Sequence, residues 1–115
     1  MNTIELTFNL GCMAFDEKDY GTAISRFTEV LDEVPGDRNV REWRARAYYH
    51  RASLPRAEED LRELLATDPT DEYATLLLAR TLERQSRHDE AAGVRRMLAA
   101  LTGDDAHAEG HRAFS

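Results

Sequence analysis

The stretch Tyr20-Gly21-Thr22-Ala23-Ile24-Ser25-Arg26-Phe27-Thr28-Glu29-Val30-Leu31-Asp32-Glu33-Val34-Pro35 decides the fold, because its pattern returns further along the chain. A shift of 34 positions brings Leu54 through Pro69 into register with it. Ala23 then falls on Ala57, Phe27 on Leu61, Val30 on Leu64 and Pro35 on Pro69. A second shift reaches Ala91 and Leu98. Upstream of the stretch, Gly11, Ala45 and Ala79 share a column, and Leu10 meets Leu78 two steps on. The register runs without insertion from about residue 4 to residue 105. Self-similarity at such a period marks a repeat array, in which each unit buries its apolar face only against its neighbours.

Each unit reads as two amphipathic helices. In the first, Leu6, Leu10, Met13, Ala14 and Glu17 fall on one face at helical spacing; in the second, Ala23, Phe27, Val30 and Leu31 do so. Lys18-Asp19-Tyr20-Gly21 separates the two. Pro35-Gly36-Asp37 and Asp68-Pro69-Thr70-Asp71 each stop one helix and offer an N-cap to the next. Ser53-Leu54-Pro55 turns the chain inside the second unit, with proline where a helix's first turn tolerates it. The spacing predicts helices near 3–17, 20–33, 38–51, 55–66, 71–85 and 88–101. No segment alternates with period 2, so no sheet is expected and the class is all-α.

Composition bounds the function. The chain has 115 residues, the size of one domain, with 42% apolar and 32% charged residues. The net charge of −7 argues against nucleic acid, whose binders show a basic footprint. No apolar run approaches the roughly 18 residues of a membrane span, and the first residues lack the pattern of a secretory signal. A cytoplasmic location without membrane contact is the resulting expectation. Cys12 is the single cysteine, which excludes an internal disulfide and a Cys-x-x-Cys zinc site. The fifteen cations are fourteen Arg and one Lys, Lys18.

The shared columns resemble the tetratricopeptide repeat family, whose 34-residue helix pair carries an aromatic, Leu-Gly and Tyr pattern, then Ala, an aromatic or Leu, and a closing Pro. The first unit, 4–37, supplies Leu10-Gly11, Asp19-Tyr20, Ala23, Phe27 and Pro35. The second, 38–71, supplies Ala47-Tyr48-Tyr49, Ala57, Leu61 and Pro69. The third, 72–105, supplies Leu78-Ala79, Leu82, His88-Asp89-Glu90-Ala91 and Leu98. Departures are Thr7, Arg41 and Thr75 in the opening aromatic column, Arg44 in the column of Leu10, Arg95 in that of Phe27, and Gly103 for the closing proline. The resemblance implies a right-handed superhelical array of three antiparallel helix pairs over 1–105. A tail, 106–115, would follow as a short helix or a disordered segment. A different helical hairpin array would keep the all-α class.

In that family the first helix of each pair lines a concave face. The corresponding stripe here is Glu5, Phe8, Cys12, Phe15 and Asp16; then Asn39, Glu42, Arg46, Tyr49 and His50; then Tyr73, Leu76, Arg80, Glu83 and Arg84. Trp43 and Leu77 adjoin it, and Arg46 and Arg80 stand one repeat apart. Aromatics and Arg are the residue types enriched in binding hot spots. The candidate partner-binding set is therefore Phe8, Cys12, Phe15, Trp43, Arg46, Tyr49, His50, Tyr73, Leu76, Arg80 and Arg84. The expected ligand is a protein segment with apolar anchors and carboxylates, the latter taken by guanidinium groups. Against this stands packing of the rings within and between helices, with solvated Arg. Family members that hold the acidic C-terminal tails of cytosolic chaperones use Lys, Asn, Asn, Lys and Arg. The matching columns here hold Phe8, Cys12, Trp43, Tyr73 and Leu77, so that ligand is not expected.

Charge is uneven. The first unit has eight acids and two bases, whereas the first helix of the second carries Arg38, Arg41, Arg44, Arg46 and Arg51 against Glu42. Its second helix carries Glu58, Glu59, Asp60 and Glu63, with ion pairing between the helices or a solvated face as the two readings. Glu58-Glu59-Asp60 reads as a solvated face rather than a catalytic pair.

No enzyme signature is present, and no cofactor is expected. His107-Ala108-Glu109-Gly110-His111 is not the zinc motif His-Glu-x-x-His, and it lies in the tail. His50 and His88 have no ligand-spaced partners. Val94, Met97, Leu98 and Leu101 on the last helix call for a cover. A short helix near 104–111, a second copy of the chain, or Phe114 in a neighbour's groove would each supply one. Two functions follow. The first is an interaction module that binds a peptide segment in an aromatic and Arg-lined groove. The second is a self-assembling scaffold or accessory subunit, a homodimer through the terminal repeat or tail.

Overall fold

The structure, a computed structural model, describes residues 2–109. It contains α1 (Thr3–Asp16), α2 (Tyr20–Glu33), α3 (Arg38–His50), α4 (Leu54–Thr67), α5 (Glu72–Arg84), α6 (His88–Thr102) and α7 (Ala106–Glu109). Among the described residues there is no strand, as the absent period-2 pattern requires. None of the helices is long and apolar enough to cross a membrane. α2 begins at Tyr20, where the spacing predicts it, so Tyr20 and Gly21 of the separating stretch belong to the helix. The tail begins with α7, a single turn packed on α6. His111 and Phe114 lie outside the described residues.

Local chemistry starts the helices. Asn2, Asp19, Asp37 and Asp71 are N-caps, and each side chain accepts a hydrogen bond from the backbone N–H three residues on. Bonds from Thr22 hold the exposed Asp19 carboxyl below its ordinary range.

The turns inside the helix pairs have a feature that no glycine announces. Lys18, Ala52 and Ser86 adopt left-handed φ of 62°, 63° and 59°, one repeat apart. At each, the next residue's N–H reaches back five positions: Asp19 to Ala14 O (2.8 Å), Ser53 to Tyr48 O (2.9 Å) and Arg87 to Leu82 O (3.0 Å). The left-handed residue itself donates to the carbonyl three positions back. This is the Schellman ending, which normally uses glycine because a Cβ is costly there. Ala52→Gly is therefore expected to raise stability by about 0.5–1 kcal/mol, the relieved strain less the glycine's entropy. An unchanged or lower urea midpoint at constant slope would refute it.

The chain divides into two compact units, Met1–Asp60 and Leu61–Ser115, with the division inside α4. In the first, α2 packs between α1 and α3. Its core is Ala14, Ala23, Phe27, Val30, Leu31, Val40 and Ala47, with Phe8, Cys12, Phe15, Tyr20, Ile24 and Trp43 packed against it. In the second, α5 pairs with α6. Leu61, Leu64, Ala74, Leu77, Leu78, Ala79, Leu82, Ala91 and Leu98 are buried there. Thr75 and Thr81 are buried too, their hydroxyls donating to Asp71 O and Leu77 O.

Two expectations are corrected in the first unit. Of the apolar face read on α1, Ala14 is buried, but Leu6, Leu10 and Met13 are 50%, 37% and 58% exposed. One repeat later their columns hold Val40, Arg44 and Ala47 on α3, and Val40 and Ala47 are buried in the core that α2 shares. The described residues offer α1 no such neighbour. The second correction concerns Asp60, read as part of a solvated acidic face. It is buried, and it accepts hydrogen bonds from Arg44 Nη2 (2.7 Å), Arg44 Nε (2.9 Å) and Arg41 Nη1 (3.3 Å). Here the ion-pairing alternative holds. In the second unit Arg95, which occupies the column of Phe27, donates to Glu83 at 2.8 and 3.2 Å.

Candidate functional site

Six of the predicted residues come together in the first unit. α1 supplies Phe8 and Phe15 from one face; α3 supplies Trp43, Arg46, Tyr49 and His50. Phe15 is the hub. Its ring meets Trp43 edge-on at 5.2 Å and His50 edge-on at 5.6 Å. Phe8 reaches Trp43 at 6.3 Å and the buried Phe27 at 5.9 Å. Tyr49 sits edge-on to His50 at 5.8 Å. Offset and edge-on pairs of this kind satisfy the ring quadrupoles. The packing alternative therefore holds in part, since the rings brace α1 against α3. Phe8, Phe15, Trp43 and Tyr49 are still only half-buried, and His50 is exposed, so the face keeps apolar area open to solvent.

Tyr20 was missed in the sequence reading. It stands on the second helix of the pair, outside the stripe. In the fold it stacks on His50 at 5.2 Å with 15° between planes, and it meets Phe15 edge-on at 5.3 Å. Its place at the first turn of α2, beside the end of α1, was the available signal.

Arg46 lies over two of these rings, with its guanidinium carbon 4.6 Å from the Trp43 centroid and 5.0 Å from that of Phe15. Stacking of this sort orients a guanidinium by cation–π attraction. Cys12 is half-buried near the same point. Burial and the Asp16 charge push its thiol pKa up, against a smaller opposite effect from Arg46. A thiol so disposed stays protonated and is a poor nucleophile.

The other predicted residues, Tyr73, Leu76, Arg80 and Arg84, lie on α5 in the second unit. Tyr73 is 42% exposed, Leu76 half-buried, and Arg80 and Arg84 exposed. His107 stands 3.9 Å from Asp104. Elsewhere in the first unit a cleft of about 170 Å³ opens between Thr3, Ile4 and Thr7 of α1 and Glu29, Val30 and Glu33 of α2. Its carboxylates suit a different chemistry from the aromatic face.

Solved structures of low sequence identity share the fold. The Arabidopsis OM64 TPR domain superposes with a TM-score of 0.79 at 23% identity, covering 92% of this chain and 88% of that one. The TPR2B domain of yeast Sti1, in complex with pHsp70, gives 0.77 at 22%, covering 96% and 86%. The first TPR of Spaghetti (RPAP3), bound to the HSP90 peptide SRMEEVD, gives 0.80 at 20%, covering 91% and 83%. No curated protein is matched. The family model described as tetratricopeptide repeat matches residues 8–72 and 54–106, nearly the whole described chain. Period, helix pairing and family model agree, and the chain belongs to the tetratricopeptide repeat family.

Proposed function

We propose that the chain is a protein-interaction module that holds a peptide segment of a partner on the face carrying Phe8, Phe15, Trp43, Arg46, Tyr49 and His50. The observation that carries this reading is the half-exposed aromatic cluster shared by α1 and α3. A monomer surface rarely leaves so much ring area open without a use. In the second unit, Tyr73, Leu76, Arg80 and Arg84 of α5 are proposed as contacts in their own right. The module binds and performs no chemistry.

The relatives' chaperone peptides are not carried over. Their mode needs polar and cationic side chains at columns that here hold Phe8, Cys12, Trp43, Tyr73 and Leu77. Phe8, Cys12 and Trp43 pack against the core, and Leu77 is 5% exposed. An apolar floor of this kind favours apolar anchors in the ligand.

The test is site-specific crosslinking. A photoreactive residue at Tyr49, on the aromatic face, should give discrete adducts in native lysate. The same residue at the exposed Ser25 on α2 should not. Equal labelling from both positions, or none from Tyr49, rejects the proposed face.

A second reading, self-association, is favoured by the exposed Leu6, Leu10 and Met13 on α1. On that reading a Leu6→Asp/Met13→Asp variant sediments as a monomer where the parent chain shows concentration-dependent mass. A parent chain that is monomeric at high concentration removes this reading.

A further inference from the structure

We infer that Arg46 is a receptor for a single carboxylate on the peptide ligand, one placed directly beside an apolar residue. The inference rests on the proposed aromatic face and names the chemistry that this face selects.

Five arginines among the described residues find an acid within the chain. Arg41 and Arg44 share the Asp60 carboxylate, and Arg95 pairs with Glu83. Arg26 and Arg87 pair with glutamates three residues on. Arg46 is half-buried like Arg44, yet no acid among the described residues pairs with it. It is held by rings instead, over Trp43 and Phe15. Cation–π contact holds the guanidinium without consuming its N–H donors. Those donors form a planar fork, matched to the two oxygens of a carboxylate. Since the rings already fix the side chain, less conformational entropy remains to be lost on binding.

The surroundings limit the ligand further. Cys12 feels both Arg46 and Asp16, which places a negative charge on α1 close by. A run of acids would meet Asp16 and the acidic residues around it, whereas one carboxylate opposite Arg46 would not. Phe8, Cys12 and Trp43 then offer an apolar surface to the neighbouring ligand residue. Trp43 is the single tryptophan of the chain, so its fluorescence reports on this spot alone.

The experiment pans a displayed random-peptide library on the wild-type protein. Recovered peptides are resynthesised with free or amidated C-termini, and with each Asp or Glu replaced by Asn or Gln. Affinity is read from Trp43 fluorescence. The expected result is enrichment of one acid next to an apolar residue, and a loss of about 10–100-fold when that acid becomes an amide. Amidation of the C-terminus separates a terminal carboxylate from a side-chain one. On Arg46→Gln the penalty for removing the acid should vanish while the apolar preference stays. On Arg46→Lys only part of it should return. Recovered peptides without a required acid, or an unchanged penalty on Arg46→Gln, overturn the inference and leave the aromatic face standing. Failure to recover any peptide that alters Trp43 fluorescence rejects the face itself.

Discussion

Asp60→Ala is expected to cost about 3–5 kcal/mol of folding stability, the scale for breaking a buried ion pair from one side. Asp60 is 3% exposed and carries three hydrogen bonds from two guanidinium groups. Arg44 also donates to Thr28 on α2 (3.2 Å), and Arg41 donates to Pro35 O (2.8 Å). One carboxylate therefore ties α2, the turn before α3, α3 and α4 together. Hydrogen bonding to Asp60 pushes the Arg44 pKa above its ordinary value. Without the carboxylate, two half-buried cations face each other. Total stability for a domain of this size is about 5–15 kcal/mol, so the loss should appear in a urea titration as a large fall in midpoint. A control comes from the repeat itself. The columns of Arg44 and Asp60 hold Leu78 and Val94 one unit later. Arg44→Leu/Asp60→Val should regain part of the stability, because only Arg41, which keeps its bond to Pro35 O, is left without its acid. A loss below about 1 kcal/mol for Asp60→Ala, within the range of a surface pair, would refute the buried-network account.

Gly11→Ala is expected to destabilise despite alanine's better helix propensity. A Cβ at Gly11 would lie 2.6 Å and 2.9 Å from ring carbons of Phe27, and 3.2 Å from Arg26 Cβ. Phe27 has 0% exposure and touches Trp43 and Phe8, so its ring has little room to retreat. Overpacking of this kind costs about 1–3 kcal/mol, against about 1 kcal/mol gained in helix propensity. The clash sits in the upper part of that range because it is with an enclosed aromatic ring, giving a net loss of about 2 kcal/mol. The columns suggest the rescue: one unit later they hold Ala45 and Leu61. Gly11→Ala/Phe27→Leu should be more stable than Gly11→Ala alone. Urea unfolding of the four proteins in the cycle measures the coupling, and strict additivity would reject the steric explanation.

The helices were legible because their determinants are local. Periodicity, the Asp37 and Asp71 caps and the prolines act within a few residues, so the predicted 20–33 coincides with α2 (Tyr20–Glu33). The Schellman turns were not legible, since Lys18, Ala52 and Ser86 lack the glycine that usually marks them. The candidate face was legible in part. The helical stripe identified Phe8, Phe15, Arg46, Tyr49 and His50, and Trp43 was placed beside it. Tyr20 escaped because it comes from the other helix of the pair.

The chain by itself determined the period of 34, the helix pairs and the family, because a repeat is written in spacing and spacing needs no neighbour. Only the tertiary structure decided which polar and apolar groups changed places. Asp60 went inside because Arg41 and Arg44 meet it across a helix pair. Leu6 and Met13 stayed outside because nothing described packs on α1 as α2 packs on α3. Arg46 kept its donors unpaired because rings rather than an acid came to lie beneath it. Burial and pairing depend on what the next element brings, and that cannot be read from one helix's own residues.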